Sequence, residues 1–226
     1  MHTTKEKINI FGMLVGLFLS VIPLYYYIRV FSSFNTIKKC GNLSKFIFAS
    51  MITSIATPIV SVIVYSMALA QALRSSMYYY SVSYAMGFLV VGFVIIGLIL
   101  IATAVLFIIT GFKTKAFLDS NKSGFLTEEE RFNIAKVAGL HLAVIPFYTI
   151  YQVVKNIDMI KEVNEIMSGL LIAFFILYGF NFLLSFIPVL SFLFFVALTA
   201  IMIIVGVKLN EYFLHIKTNS NEEYNQ

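Results

Sequence analysis

Five long stretches of the chain, residues 8–28, 46–73, 75–112, 137–154 and 166–207, carry no Asp, Glu, Lys or Arg. Every formal charge falls between them or at the ends. A bilayer hydrocarbon core about 30 Å thick calls for roughly 20 apolar residues per helical crossing, and a charge stranded at its centre costs about 3 kcal/mol or more. The pattern predicts an all-α integral membrane protein. No run alternates apolar and polar residues as the strands of a membrane barrel would, and a helix satisfies its own backbone groups where water is absent.

A phrase recurs within this pattern. Residues 16–25 read Gly-Leu-Phe-Leu-Ser-Val-Ile-Pro-Leu-Tyr and residues 139–148 read Gly-Leu-His-Leu-Ala-Val-Ile-Pro-Phe-Tyr. Each copy leads into an amphipathic, Lys-containing segment: Ile28, Phe31, Phe34 and Ile37 space one face of the first, Val153, Ile157 and Ile160 one face of the second. Two long apolar segments follow each copy, and each set ends in Gly-x-Lys, at Gly111–Lys113 and Gly206–Lys208. The expected organisation is a first membrane repeat over 1–118, a polar linker over 119–130, a second repeat over 131–217 and a disordered tail over 218–226. Lys5-Glu6-Lys7 before Ile8–Ile22 has the look of a signal peptide, but no small-residue cleavage site follows and the phrase returns mid-chain.

Charge separates two topologies. If all three apolar segments of each half crossed, six spans in a 3+3 arrangement would divide the sixteen Lys and Arg nearly evenly and give no orientation. If the segment broken by Pro23 or Pro146 is instead a re-entrant or interfacial helix, four spans remain, near 46–67, 84–112, 167–185 and 188–208. Arg74 is then the one basic residue on the far side, which the positive-inside rule favours. This arrangement puts both termini and the linker in the cytoplasm; the six-span alternative stays open, because 8–28 is long enough to cross.

Composition agrees with lipid as the solvent: 60% of residues are hydrophobic, 12% are charged and mean hydropathy is +0.91. The net charge of +5 is dispersed beside apolar runs, so it reads as attraction to an anionic cytoplasmic leaflet and not to nucleic acid. Thirteen Lys against three Arg suit an AT-rich bacterial genome and a cell (inner) membrane location. The single cysteine, Cys40, excludes an intramolecular disulfide; beside Lys38 and Lys39 it is either a juxtamembrane acylation site or an inert bystander.

The linker carries the one recognisable ligand spacing. Asp119, Asn121, Ser123, Phe125, Thr127 and Glu130 stand at loop positions 1, 3, 5, 7, 9 and 12, with Gly124 at position 6. This resembles the EF-hand family, and the resemblance implies a Ca2+ site in which Phe125 offers its carbonyl and Glu130 a bidentate carboxylate. Against the family pattern, only two ligands are carboxylates, Lys122 lies inside the loop and Arg131 flanks it. The same letters also spell a turn followed by a Thr127-x-x-Glu130 capping box. The rest of the chain resembles small bacterial multi-pass membrane proteins with an Ile-Tyr-rich phrase before a Lys-rich amphipathic helix.

Other candidates are few. His141, the one acidic or basic side chain inside an apolar run, replaces Phe18 of the first phrase; it is an intramembrane polar site or a hydrogen-bonded structural histidine. Asn181 is a polar bridge between helices or a turn residue. Gly87, Gly92 and Gly97 mark a close helix contact, within the chain or between copies of a homo-oligomer. Nucleophile, zinc and phosphate-loop motifs are lacking. The expectation is a non-enzymatic multi-pass membrane protein acting through helix packing or partners; the alternative is a small channel or transporter with its site at the repeat interface, calcium-modulated through the linker.

Overall fold

The computed structural model describes residues 4–22, 24–79, 82–163, 166–183 and 186–223; the side chains of 76, 78, 79, 82–85, 121 and 215–223 lie outside the description, as does the whole of Pro23. Ten α-helices account for nearly all of it: α1 (Thr4–Leu19), α2 (Tyr25–Ser32), α3 (Phe34–Lys39), α4 (Asn42–Tyr79), α5 (Val82–Asp119), α6 (Glu128–Leu142), α7 (Tyr148–Lys155), α8 (Ile157–Lys161), α9 (Ile166–Leu183) and α10 (Pro188–Glu223). Four of these, α4, α5, α9 and α10, are long and apolar enough to cross a membrane. Pro188 opens α10 at a position where a missing N–H leaves no bond unmade.

The two long apolar segments that do not qualify as spans, α1 and α6, form the centre. Residues 11–19 of α1 and 134–142 of α6 are buried throughout. The pair runs parallel, because Gly12 faces Phe132 and Ala135 while Gly16 faces Lys136 and Leu140. The contact is closest at two glycines, and it is reciprocal. A Cβ on Gly16 would collide with the carbonyl oxygen of Lys136, and one on Gly139 with the carbonyl oxygen of Met13. Only the hydrogen side chain of glycine admits a neighbouring backbone so closely.

Each side of this pair carries one hairpin of long helices. In the first hairpin, α5 runs antiparallel to α6, with Gly111 against Leu142 and the Phe107 ring 4.9 Å from His141. In the second, α10 runs antiparallel to α1. Gly206 lies against Leu19, Phe11 meets Tyr212 at 5.6 Å, and the α6 ring Phe132 stacks on Phe213 at 3.7 Å. Within the hairpins, Thr57 and Thr103 hydroxyls bond at 2.7 Å between α4 and α5, and Phe180 stacks on Phe194 between α9 and α10. Among the described residues the two hairpins do not pack along one another; they are joined through α1 and α6.

Length explains what the centre is for. A 38-residue helix such as α5 measures about 57 Å at 1.5 Å per residue, well beyond the roughly 30 Å of a hydrocarbon core. Its excess is the end that packs on α6. There, Thr110, Thr114 and Leu118 are buried, whereas Val90, Val91, Phe93 and Leu98 further along are exposed apolar surface.

Short helices close the base. A left-handed residue precedes both α2 and α7: Leu24 at φ 66° and Phe147 at φ 60°. A bulky side chain there costs about 1–3 kcal/mol and persists only where surrounding packing imposes it. Pro146 occupies the turn between α6 and α7. Past these reversals α2 exposes Ile28 and Phe31 while burying Val30, and α7 exposes Tyr151 and Val154 while burying Gln152 and Val153.

The glycine crossing makes a direct prediction. Gly139→Ala forces backbone apart from backbone and should destabilise by about 1–3 kcal/mol or more, read as a fall in thermal midpoint in detergent. Gly97→Ala, where a Cβ meets nothing within 4 Å of its own chain, should leave the midpoint of the monomer unchanged or raise it.

Candidate functional site

The linker is where the structure corrects the sequence. Among the described residues no group of three His, Cys, Asp or Glu side chains could hold a metal ion, and this overturns both the EF-hand resemblance and the Ca2+ expectation. The loop oxygens are engaged elsewhere. Arg131 is buried, and its guanidinium donates to the Leu118 carbonyl at 2.8 Å, the Ser123 carbonyl at 2.8 Å and the Ser123 hydroxyl at 3.0 Å. A fixed guanidinium thus occupies the concave side of the turn.

The remaining proposed ligands have equally plain employment. Thr127 caps α6 by accepting from the Glu130 N–H, and the Glu130 carboxylate accepts from the Thr127 N–H at 3.1 Å, closing a capping box. Glu130 also accepts from Lys39 at 2.7 Å, and that bond, with the Thr127 N–H, holds its carboxyl below the usual range. Asp119 accepts from the Asn9 side-chain amide at 3.3 Å, Phe125 is exposed against Phe117, and the Asn121 side chain lies outside the described ones.

His141 has no exposed surface. Its Nδ1 lies 2.8 Å from the Val137 carbonyl, which fixes Nδ1 as the protonated nitrogen and leaves Nε2 to accept. The Ser50 hydroxyl at 2.7 Å and the Tyr26 hydroxyl at 3.1 Å face Nε2, themselves 3.2 Å apart. The imidazole therefore ties α2, α4 and α6 at one point. Burial depresses its pKa to about 4, so the ring stays neutral at physiological pH. At the corresponding phrase position, Phe18 meets Phe174 edge to face at 5.6 Å.

Two further groups settle outstanding readings. Asn181 accepts from the Ser191 hydroxyl at 3.3 Å, bridging α9 and α10 near their turn. Cys40 is buried, its thiol 3.3 Å from the Thr36 carbonyl and pushed up to about 11 by burial, which makes it a poor nucleophile.

The base also contains polar groups that sequence reasoning passed over. Lys136, buried on α6, donates to the Asn210 side-chain Oδ1 at 2.7 Å and lies 4.2 Å from the Phe132 ring centre. Burial, and next the nearby charge of Arg29, lowers it to about 7. A cavity of about 280 Å³ opens beside the α1–α6 pair, lined by Glu6, Asn9, Lys115, Asp119, Gln152 and Lys155 among others. A second, of about 290 Å³, shares Glu6, Asn9, Leu118 and Asp119 and reaches Arg131. The signal for this cavity was faint: Gln152 is the one amide in the run 137–154, and Asn9 the one amide in 8–28.

No family model, no curated protein and no solved structure matches the chain. The likeness to small bacterial multi-pass proteins therefore finds no family behind it.

Two outcomes follow. Glu130→Ala should lower the thermal midpoint through lost capping, about 1 kcal/mol, by the same amount with and without millimolar calcium. For His141 the unfolded state binds the proton more readily, so stability is full above pH 6.5 and drains away as pH falls toward about 4. The difference in acid sensitivity between the native protein and His141→Phe, followed by thermal melts across that window, isolates this contribution.

Proposed function

We propose that this is a non-enzymatic multi-pass membrane protein that acts through packing with partner helices. The observation that carries the reading is the pair of membrane-length hairpins that, among the described residues, are joined through α1 and α6 at their base. A self-contained four-helix bundle buries a seam along all its spans; here Ile52, Val62, Phe93, Ile172 and Phe192 leave apolar surface exposed along both hairpins. Lipid or other helices must cover that surface. A second copy of the chain is the simplest partner, and Gly87, Gly97, Gly169 and Gly179, none of them filled by a neighbour, allow close approach.

Topology in this proposal has four crossings, with the α1–α6 base, both termini and the linker on the cytoplasmic side of a bacterial inner membrane. Charge supports it: Lys113, Lys115 and Lys122 follow one another at the base end of α5, where an anionic leaflet attracts them. The exposed apolar residues of α2 and α7 suit helices lying at that interface. Two related halves are supported by the reciprocal contacts of Gly16 with Lys136 and of Gly139 with Met13, the matching Gly111 and Gly206 contacts and the paired left-handed residues Leu24 and Phe147.

A transport role is the second reading, favoured by one observation: the polar cavity takes Glu6 and Asn9 from the first half and Gln152 and Lys155 from the second. Solute flux in liposomes, altered by Gln152→Leu, would support it over the first.

Single cysteines in a Cys40→Ser background test the arrangement. Met77→Cys should label from outside intact cells, whereas Lys122→Cys and Lys161→Cys should label only after permeabilisation. Labelling of Lys122 and Lys161 from opposite sides would exclude the four-span form. Crosslinking at Gly97→Cys should trap a homodimer.

A further inference from the structure

Two short arms leave the base with the same order of elements. In the first, left-handed Leu24 leads into α2 and α3; in the second, left-handed Phe147 leads into α7 and α8. Counted from these residues, the same three positions are apolar and more than half exposed: Leu24, Ile28 and Phe31 in one arm, Phe147, Tyr151 and Val154 in the other. A stripe of this spacing is the face of a helix lying in the membrane interface.

Shape is shared, but charge is not. From Leu24 to Cys40 the first arm has three cations, Arg29, Lys38 and Lys39, and no acid; from Phe147 to Val163 the second has Lys155 and Lys161 balanced by Asp158 and Glu162. These two acids stand where the first arm has Asn35 and Lys39. The hairpins repeat the contrast. Lys113 at the base end of α5 rests 3.5 Å from the centre of the Phe46 ring, whereas Lys208, at the same place on α10, is paired with Glu211 at 3.4 Å. No Asp or Glu occurs between Lys7 and Leu118; Glu130 of α6 takes up Lys39 at 2.7 Å and leaves the region positive.

Ring contacts set the depth of the first arm. Lys45 immediately precedes the uncharged run of α4 and Lys113 immediately follows that of α5, so both mark the edge of the hydrocarbon. Phe34 of α3 lies 5.1 Å from Phe48 at that edge, and the Lys38 ammonium sits 4.3 Å from the centre of the Phe34 ring. Cations thus stand at headgroup level beside an exposed apolar stripe, the combination that selects phospholipids of net negative charge. We propose that the α2–α3 arm, with Lys45 and Lys113 beside it, is a docking surface for anionic phospholipid headgroups, and that the α7–α8 arm rests on neutral lipid. The assignment deepens the four-crossing reading and rests on it, since both arms must lie in one bilayer interface.

The chain contains no tryptophan, so one introduced Trp reports on one arm. Phe31→Trp and Val154→Trp, each in the full chain reconstituted in phosphatidylcholine, are compared for quenching by brominated phosphatidylglycerol and brominated phosphatidylcholine. Phe31→Trp should favour the anionic lipid by about fivefold or more, the gain expected from one Lys or Arg at an anionic surface. That preference should largely vanish at about 1 M salt, where charge is screened beyond about 3 Å. Val154→Trp should distinguish the two lipids by less than about twofold, since its arm has no net charge. Arg29→Gln with Lys38→Gln should reduce the first arm to the level of the second, and Asp158→Asn with Glu162→Lys should create the preference at Val154→Trp. Equal quenching of Phe31→Trp by the two lipids, or the same preference at both arms, overturns the proposal and leaves the four-crossing reading standing. Quenching of neither reporter by either lipid overturns both. Should the first pair of reporters not fold, Ile28→Trp and Tyr151→Trp, at exposed positions, are read the same way.

Discussion

The two hairpins are positioned by the crossing of α1 and α6, where Gly16 meets the Lys136 carbonyl and Gly139 the Met13 carbonyl. Two helices that touch through glycine approach at the short end of helix packing distances, and their main chains cannot slide without collision. Because α10 lies on α1 and α5 lies on α6, the crossing sets where both hairpins emerge. The hairpins are levers on a single fulcrum.

The chemistry of the base differs from that of the spans for a physical reason. In the spans, polar demand is met by short hydroxyl bonds such as Thr57–Thr103 and by back-bonding of Thr103 onto its own helix. At the base the helices end, so unbonded carbonyls accumulate and need donors. Arg131 serves Leu118 and Ser123, and the Thr127–Glu130 box serves the first turn of α6. A guanidinium built into the chain meets the demand that a bound cation would otherwise meet. Calcium spacing without calcium chemistry is the result.

His141 shows how one substitution between like phrases changes a contact without changing its place. Phe18 packs on Phe174 by ring edge and face, whereas His141 needs a hydroxyl on α4 and another on α2. The first contact is apolar and tolerant; the second demands defined partners. Directional bonds of this sort hold α2 and α4 to the base on the side where no Phe–Phe contact does so.

Four membrane-length apolar helices were legible in the sequence because lipid imposes a one-dimensional rule: length and absence of charge suffice. The capping box was equally legible, since its partners are three residues apart. Residue type could not tell whether the oxygens at Asp119, Ser123 and Glu130 converge on an ion or turn to a neighbour, because Arg131, Lys39 and Asn9 answer that from other elements. Nor could it tell that residues 11–19 and 134–142 would be shielded by protein, for an apolar helix is written alike whether helices or lipid surround it. The pairing of Ser50 and Tyr26 with His141, and of Asn9 and Gln152 about one cavity, joins residues roughly a hundred positions apart. Local pattern fixes which segments leave water; only the tertiary structure decides which of them meet, since that depends on close approach at a few glycines.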